Sequence, residues 1–115
     1  GEGECGSCLV LVDGKAVNSC LMMAVQLQGR QLTTIEGIKG RDGGLHPLQK
    51  TFMEEGAVQC GFCIPGVIIA AEALLRENPR ATAEDIKRGL TGNLCRCTGY
   101  EKILSAVEKA KDSRW

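Results

Sequence analysis

Seven cysteines, most of them in closely spaced pairs, constrain this 115-residue chain more than any other feature of its sequence. They are Cys5, Cys8, Cys20, Cys60, Cys63, Cys95 and Cys97. A disulfide framework usually has an even number of cysteines, so the odd count disfavours one. Pairs separated by one or two residues are typical of metal sites, which also staple small cores. We therefore expect metal binding, with disulfides as the minor alternative.

Charge and hydropathy exclude several classes of function. The 14 basic and 14 acidic residues give a formal net charge of zero. That balance does not favour nucleic acid or an anionic membrane surface as a partner. Glu72 interrupts the longest apolar run, residues 67–71, so no run approaches the ~20 residues of a membrane span. No export signal is visible, and the sequence predicts a cytoplasmic protein.

The first third of the chain has the pattern of strands and turns. Residues 9–12, Asp13-Gly14 and residues 15–17 predict a β-hairpin, because Asp-Gly readily adopts the positive φ angles of a tight turn. Residues 31–35 are rich in β-branched side chains and predict a second strand region. Residues 21–27 fit either a short strand or an irregular turn.

A glycine-rich linker, residues 40–44, separates this part from a helical remainder. The four predicted helices span residues 47–55, 65–78, 82–89 and 99–111. His46, the only histidine, is expected to cap the first of these helices, just before Pro47. Thr82 with Asp85, and Thr98 with Glu101, resemble the capping boxes that begin a helix.

The helical part holds a strong constellation of four cysteines. Cys60 and Cys63 form one pair, and Cys95 and Cys97 form another. Each pair precedes a predicted helix on a glycine-containing turn, where backbone N–H groups and the helix N-terminus favour a bound anion. Four thiolates suit a [2Fe–2S] cluster. They also suit a structural zinc ion, but zinc ribbons place about 15–20 residues between two Cys-x-x-Cys pairs, and the interval here is longer. Spacing alone therefore favours iron–sulfur over zinc without excluding zinc.

The first part of the chain holds three cysteines, one short of a second cluster. Cys5 and Cys8 have the last step of the plant-type spacing Cys-x4-Cys-x2-Cys, and Cys20 follows them. The missing ligand would lie one residue before Gly1, so we expect that the N-terminal segment is absent from this sequence. The alternative is that these residues are ordinary thiols or hold a metal with three cysteines.

Three motifs resemble a known family. Residues 3–8 (GECGSC), 59–66 (QCGFCIPG) and 92–100 (GNLCRCTGY) are similar to the small iron–sulfur subunit of the xanthine dehydrogenase and aldehyde oxidoreductase family of molybdenum hydroxylases. The resemblance covers essentially the whole chain. It implies an α+β fold with a partial β-grasp, plant-type ferredoxin domain at residues 1–40, followed by a four-helix-bundle domain at residues 41–115.

The resemblance also implies the cofactors and partners. Each domain would hold one [2Fe–2S] cluster, the first on Cys5, Cys8 and Cys20. A large partner subunit would bind molybdopterin beside the second cluster, with Gln59 and Cys97 contacting the pterin. Electrons would pass through both clusters toward an FAD-binding subunit or another acceptor, and this chain would bind no substrate. A purine such as xanthine is the first expectation for the substrate of the complex.

Backbone N–H groups near the second site are the expected regulators of its potential, because hydrogen bonds to cluster sulfur raise the reduction potential. They belong to Gly61, Phe62, Arg96 and Thr98. Two other functions remain open from the sequence: a zinc-stabilised interaction module with no redox role, and a free-standing ferredoxin.

Overall fold

The computed structural model describes residues 1–113 and has an α+β architecture. It contains three strands and four α-helices within those residues. They are β1 (Leu9–Val12), β2 (Lys15–Asn18), β3 (Leu32–Thr33), α1 (Pro47–Glu54), α2 (Ile64–Glu77), α3 (Ala83–Gly89) and α4 (Glu101–Lys111). No helix in the described part is long and apolar enough to cross a membrane.

The predicted hairpin is confirmed as β1 and β2, which pair antiparallel with Val12 opposite Lys15. Asp13 and Gly14 both have positive φ angles, 50° and 79°, as a tight hairpin turn requires. The strand β3 pairs antiparallel with the other edge of β1 and gives the sheet order β2-β1-β3. It is shorter than the predicted residues 31–35, because Ile35 already begins a 3-10 helix that continues to Gly37.

The region that the sequence left undecided, residues 21–27, is not a strand. Two short 3-10 helices, Ser19–Leu21 and Ala24–Leu27, occupy it. Such single turns pair their own backbone groups locally, and they carry the chain from the hairpin around to β3.

The helix predictions agree with the structure to within two residues at each end. His46 caps α1 as expected: its Nδ1 accepts a hydrogen bond from the Leu48 N–H at 3.3 Å. The Thr82–Asp85 capping box of α3 is also confirmed. The predicted box of Thr98 with Glu101 is wrong, since the N-cap of α4 is Tyr100, with a φ of 72° and no side-chain cap. The hydroxyl of Thr98 instead contacts the sulfur of Cys95.

The helix α2 is the centre of the molecule. One part of its surface packs on β1 and β2, and other parts pack on α1 and α3, while α4 packs on α1 and α3. The core is aliphatic apart from the fully buried Phe52. Its other large buried members are Leu48, Val67, Ile69, Leu75, Ile86, Ile103 and Val107.

One charged side chain, Glu72, lies inside this core. It is 1% exposed and contacts Arg76 one turn further along α2. The Nε2 atom of His46 lies 3.1 Å from its Oε2 atom. Burial alone would raise the pKa of Glu72, but the hydrogen bonds from His46 and Arg76 outweigh burial and hold that pKa below its ordinary value. The pairing ties the N-terminus of α1 to the middle of α2.

Candidate iron–sulfur sites

The second cysteine site lies where two loops converge at helix N-termini. Cys63 is the N-cap of α2, and Cys95 and Cys97 lie in the loop that leads into α4. The thiols of Cys63 and Cys95 interact, as do those of Cys60 and Cys97. Cys63 is buried and Cys95 half-buried, whereas Cys60 and Cys97 are exposed. The structure therefore brings the four predicted ligands together across an interval of residues 64–94.

Thr98 is the main hydrogen-bond donor at this site. Its Oγ1 atom lies 3.0 Å from the Sγ atom of Cys95, and its backbone N lies 3.4 Å from the same sulfur. The side-chain hydrogen bond from Thr98 lowers the pKa of Cys95 to about 7. By contrast, burial raises the pKa of Cys63 to about 11. Thr98 thus favours negative charge on one sulfur of the site, which is the charge that a cluster ligand carries.

Tyr100 fixes the same loop from the other side. The phenol oxygen of Tyr100 accepts a hydrogen bond from the Cys95 N–H at 2.8 Å. The backbone N–H of Tyr100 donates to the Thr98 hydroxyl at 3.3 Å. The Cys-x-Cys-Thr-Gly-Tyr run is the signal that the Tyr100 hydroxyl could reach the ligand loop.

The first cysteine site is a surface cavity beside the hairpin. Cys5, Cys8 and Cys20 line it, together with Asn18, and its volume is about 450 Å³. The N–H of Ser7 lowers the pKa of Cys5, and the N–H of Cys20 lowers the pKa of Cys8. Three thiols therefore converge here, and backbone donors favour the anionic forms of Cys5 and Cys8.

The two cysteine sites are in direct contact. The N–H of Leu94, next to Cys95, donates to the carbonyl oxygen of Cys5 at 2.9 Å. The buried amide of Asn93 lies 3.4 Å from the carbonyl oxygen of Gly6. Asn93 was missed by sequence reasoning, because an asparagine in a loop gives no signal of a partner so distant in sequence.

Part of the second site faces solvent. Gln59 is exposed and directly precedes Cys60, whose thiol interacts with the exposed Cys97. The two residues for which a pterin contact is expected therefore lie on the same exposed part of the second site.

Among residues 1–113, no group of three or more His, Cys, Asp or Glu side chains is arranged to hold a single metal ion. The donor set of the second site, four thiols with amide and hydroxyl donors beside them, fits a [2Fe–2S] cluster.

Comparisons with known proteins agree with this donor set. Residues 34–108 match the family model described as a [2Fe-2S] binding domain. A probable xanthine dehydrogenase subunit from Bacillus subtilis is 52% identical over 93% of this chain and 61% of the relative. The small FeS subunit of nicotinate dehydrogenase from Eubacterium barkeri is 50% identical over 95% of this chain and 69% of the relative.

A solved structure shows the same fold. Quinoline 2-oxidoreductase from Pseudomonas putida 86 superposes with a TM-score of 0.89 at 41% identity, over 96% of this chain and 68% of that one. The chain belongs to the [2Fe-2S] binding domain family. Within that family, it belongs with the iron–sulfur subunits of xanthine dehydrogenase and aldehyde oxidoreductase type enzymes. It spans about three-fifths to two-thirds of the lengths of these two relatives.

Proposed function

We propose that this chain is the electron-transfer subunit of a molybdenum hydroxylase. It relays electrons from the molybdopterin centre of a large partner subunit toward an FAD-binding partner subunit or another acceptor. The observation that carries the proposal is the convergence of Cys60, Cys63, Cys95 and Cys97 beside the Thr98 donors. When bound, a [2Fe–2S] cluster supplies a one-electron carrier at each cysteine site.

The ligands divide between the two sites. Cys60, Cys63, Cys95 and Cys97 hold the second cluster, and Cys5, Cys8 and Cys20 provide three of the ligands of the first. Because a [2Fe–2S] cluster takes four protein ligands, the fourth ligand of the first cluster comes from outside this set. We assign residues 1–40 to a ferredoxin-like domain and residues 41–115 to a helical-bundle domain, of which the structure describes residues up to 113.

The roles of individual residues follow from their contacts. The Thr98 hydroxyl stabilises negative charge on Cys95, which favours the reduced form of a cluster bound there. Tyr100 holds the Cys95 loop, and the Leu94–Cys5 hydrogen bond joins the two sites through the backbone. Gln59 and Cys97 lie on the exposed side, and we assign to them the contact with the partner's pterin. An amide such as Gln59 can both donate and accept hydrogen bonds along a heterocycle edge.

The surface around the second site supports a partner in this place. Val58 and Leu94 are 43% and 54% exposed beside the exposed Cys60 and Cys97. Exposed apolar side chains that rim a functional site are typical of a protein interface. A large subunit seated there would exclude water from the exposed ligands.

The test is substrate-driven reduction of the intact complex under anaerobic conditions. We expect the visible absorption of the clusters to bleach after substrate is added, with xanthine tried first and nicotinate and aldehydes next. Cys95→Ser should abolish electron delivery to the acceptor, whereas Met53→Ala should not, because Met53 is an exposed residue of α1 and not a cluster ligand. The proposal would be refuted if the unmodified complex were colourless and Cys95→Ser left turnover unchanged.

A zinc-stabilised interaction module is the alternative that the sequence left open, because four thiolates also suit zinc, but residues 1–113 hold no group of three or more ligands arranged for a single metal ion. It predicts zinc without sulfide, and unfolding of the helical part when a chelator removes the metal. The substrate and the cytoplasmic location remain predictions from the sequence.

A further inference from the structure

Phe62 belongs by sequence to the second site but lies at the first. It is between Cys60 and Cys63, yet it lines the cavity of Cys5, Cys8 and Cys20. All the other described residues that line this cavity come from residues 1–20. Phe62 is also 76% exposed, so it contributes little to the core of this chain.

Backbone packing fixes this position. A Cβ atom on Gly66, in the first turn of α2, would lie 2.1 Å from the carbonyl oxygen of Gly6 and 3.1 Å from the Cα atom of Ser7. The start of α2 therefore rests directly on the Cys5–Cys8 loop. The loop of Phe62 immediately precedes this helix, and so it extends over the first cavity.

An aromatic ring at the mouth of a charged site has a physical consequence. Reduction of an iron–sulfur cluster adds one negative charge, and water stabilises that charge better than hydrocarbon does. Solvent exposure is accordingly one of the factors that set the potential of a cluster. A ring that excludes water from the first cluster would lower the potential of that cluster relative to an open cavity.

We propose that Phe62 covers the cluster of the first site and sets its reduction potential. A single loop then carries two ligands of one cluster and the water shield of the other. This inference rests on the proposed function, because it requires a cluster on Cys5, Cys8 and Cys20.

The experiment is a redox titration of the intact complex, with both cluster signals followed by electron paramagnetic resonance. Thr98→Val identifies the signal of the second site, since Thr98 contacts Cys95. Phe62→Ala should raise the reduction potential of the first-site signal by ~59 mV, which is a tenfold change in a one-electron reduction equilibrium. The second-site signal should not move, because alanine keeps the backbone N–H of residue 62.

Two variants control the result. Phe62→Leu keeps apolar bulk over the cavity and should leave the first-site potential near that of the unmodified complex. Met53→Ala removes a similarly exposed apolar side chain, 69% exposed on α1, and should move neither potential.

Several results would overturn the inference. If both signals are present and Phe62→Ala leaves the first-site potential unchanged, the ring is not a shield. Equal shifts in both signals would also count against it. Poorer assembly of the complex with unchanged potentials would make Phe62 a partner contact instead. An unmodified complex with no first-site signal would refute the ligand assignment of the proposed function, and this inference with it.

Discussion

Replacing Gly66 by alanine tests the contact that joins the two halves of the molecule. Gly66 lies in the first turn of α2 with an ordinary helical φ angle, since it is not among the residues with positive φ. On an open helix, alanine in place of glycine stabilises by roughly 1 kcal/mol. Here the new Cβ atom would lie 2.1 Å from the backbone oxygen of Gly6. The contact therefore makes Gly66→Ala destabilising, although helix propensity alone predicts that alanine stabilises the helix.

The size of the effect follows from what must move. An ordinary carbon–oxygen contact is more than 3 Å long, so α2 and the Cys5–Cys8 loop would have to separate by roughly 1 Å. Overpacking of this kind costs about 1–3 kcal/mol and occasionally more. The backbone clash costs about 3 kcal/mol, and the better helix propensity of alanine offsets about 1 kcal/mol of that cost. The free energy of unfolding should therefore fall by ~2 kcal/mol. For a chain of this size that corresponds to a fall of roughly 8 °C in the thermal midpoint.

Parallel thermal melts by circular dichroism, on protein with matched cluster content, measure this shift. Gly89→Ala is the matched control, because its Cβ atom would meet Leu74 Cδ2 at 2.8 Å, the end of a flexible side chain that can rotate away. We expect the control to change stability by no more than about 1 kcal/mol. A rise in midpoint for Gly66→Ala would refute the close packing of α2 on Gly6.

Three more predictions concern single side chains. Thr98→Val removes the hydroxyl hydrogen bond to Cys95, worth about 1 kcal/mol, and should lower the second-site reduction potential by roughly 40 mV. Thr98→Ser keeps the hydroxyl and should keep the original potential. A redox titration in which Thr98→Val has the same potential as the unmodified complex would contradict the assignment. Tyr100→Phe leaves the Cys95 N–H without its acceptor and should cost about 1–3 kcal/mol of stability, measured by thermal unfolding; an unchanged midpoint would contradict this. Glu72 has a lowered pKa in the folded chain, so its contribution is present above the ordinary value of 4.5 and is lost as pH falls through the folded pKa. Glu72→Gln should therefore be less stable at pH 7 and converge with the unmodified chain in acid; an equal gap at every pH would show that Glu72 does not titrate with folding.

Local signals predicted much of the fold. Asp13-Gly14 marked the hairpin, and Pro47 marked the start of α1. Thr82 with Asp85 marked the start of α3, because the capping groups lie three residues apart and need no tertiary contact. The same rule failed at Thr98, whose hydroxyl bonds the sulfur of Cys95 instead of the helix N-terminus.

Long-range contacts could not be predicted in this way. Glu72 looked like an interruption of an apolar run, and its pairing with His46 depends on how α1 packs against α2. Likewise, the approach of Gly66 to Gly6 and the position of Phe62 at the first cavity depend on the docking of the helical part on the hairpin. The four thiols that the cysteine spacing grouped into the second site do come together, but the docking decides how the two sites meet.

The most direct test of the account is the content of iron, acid-labile sulfide and zinc per chain in the intact complex. Two [2Fe–2S] clusters predict about four iron and four sulfide, with no zinc. Zinc in place of iron, without acid-labile sulfide, would contradict the electron-transfer function and leave a structural module.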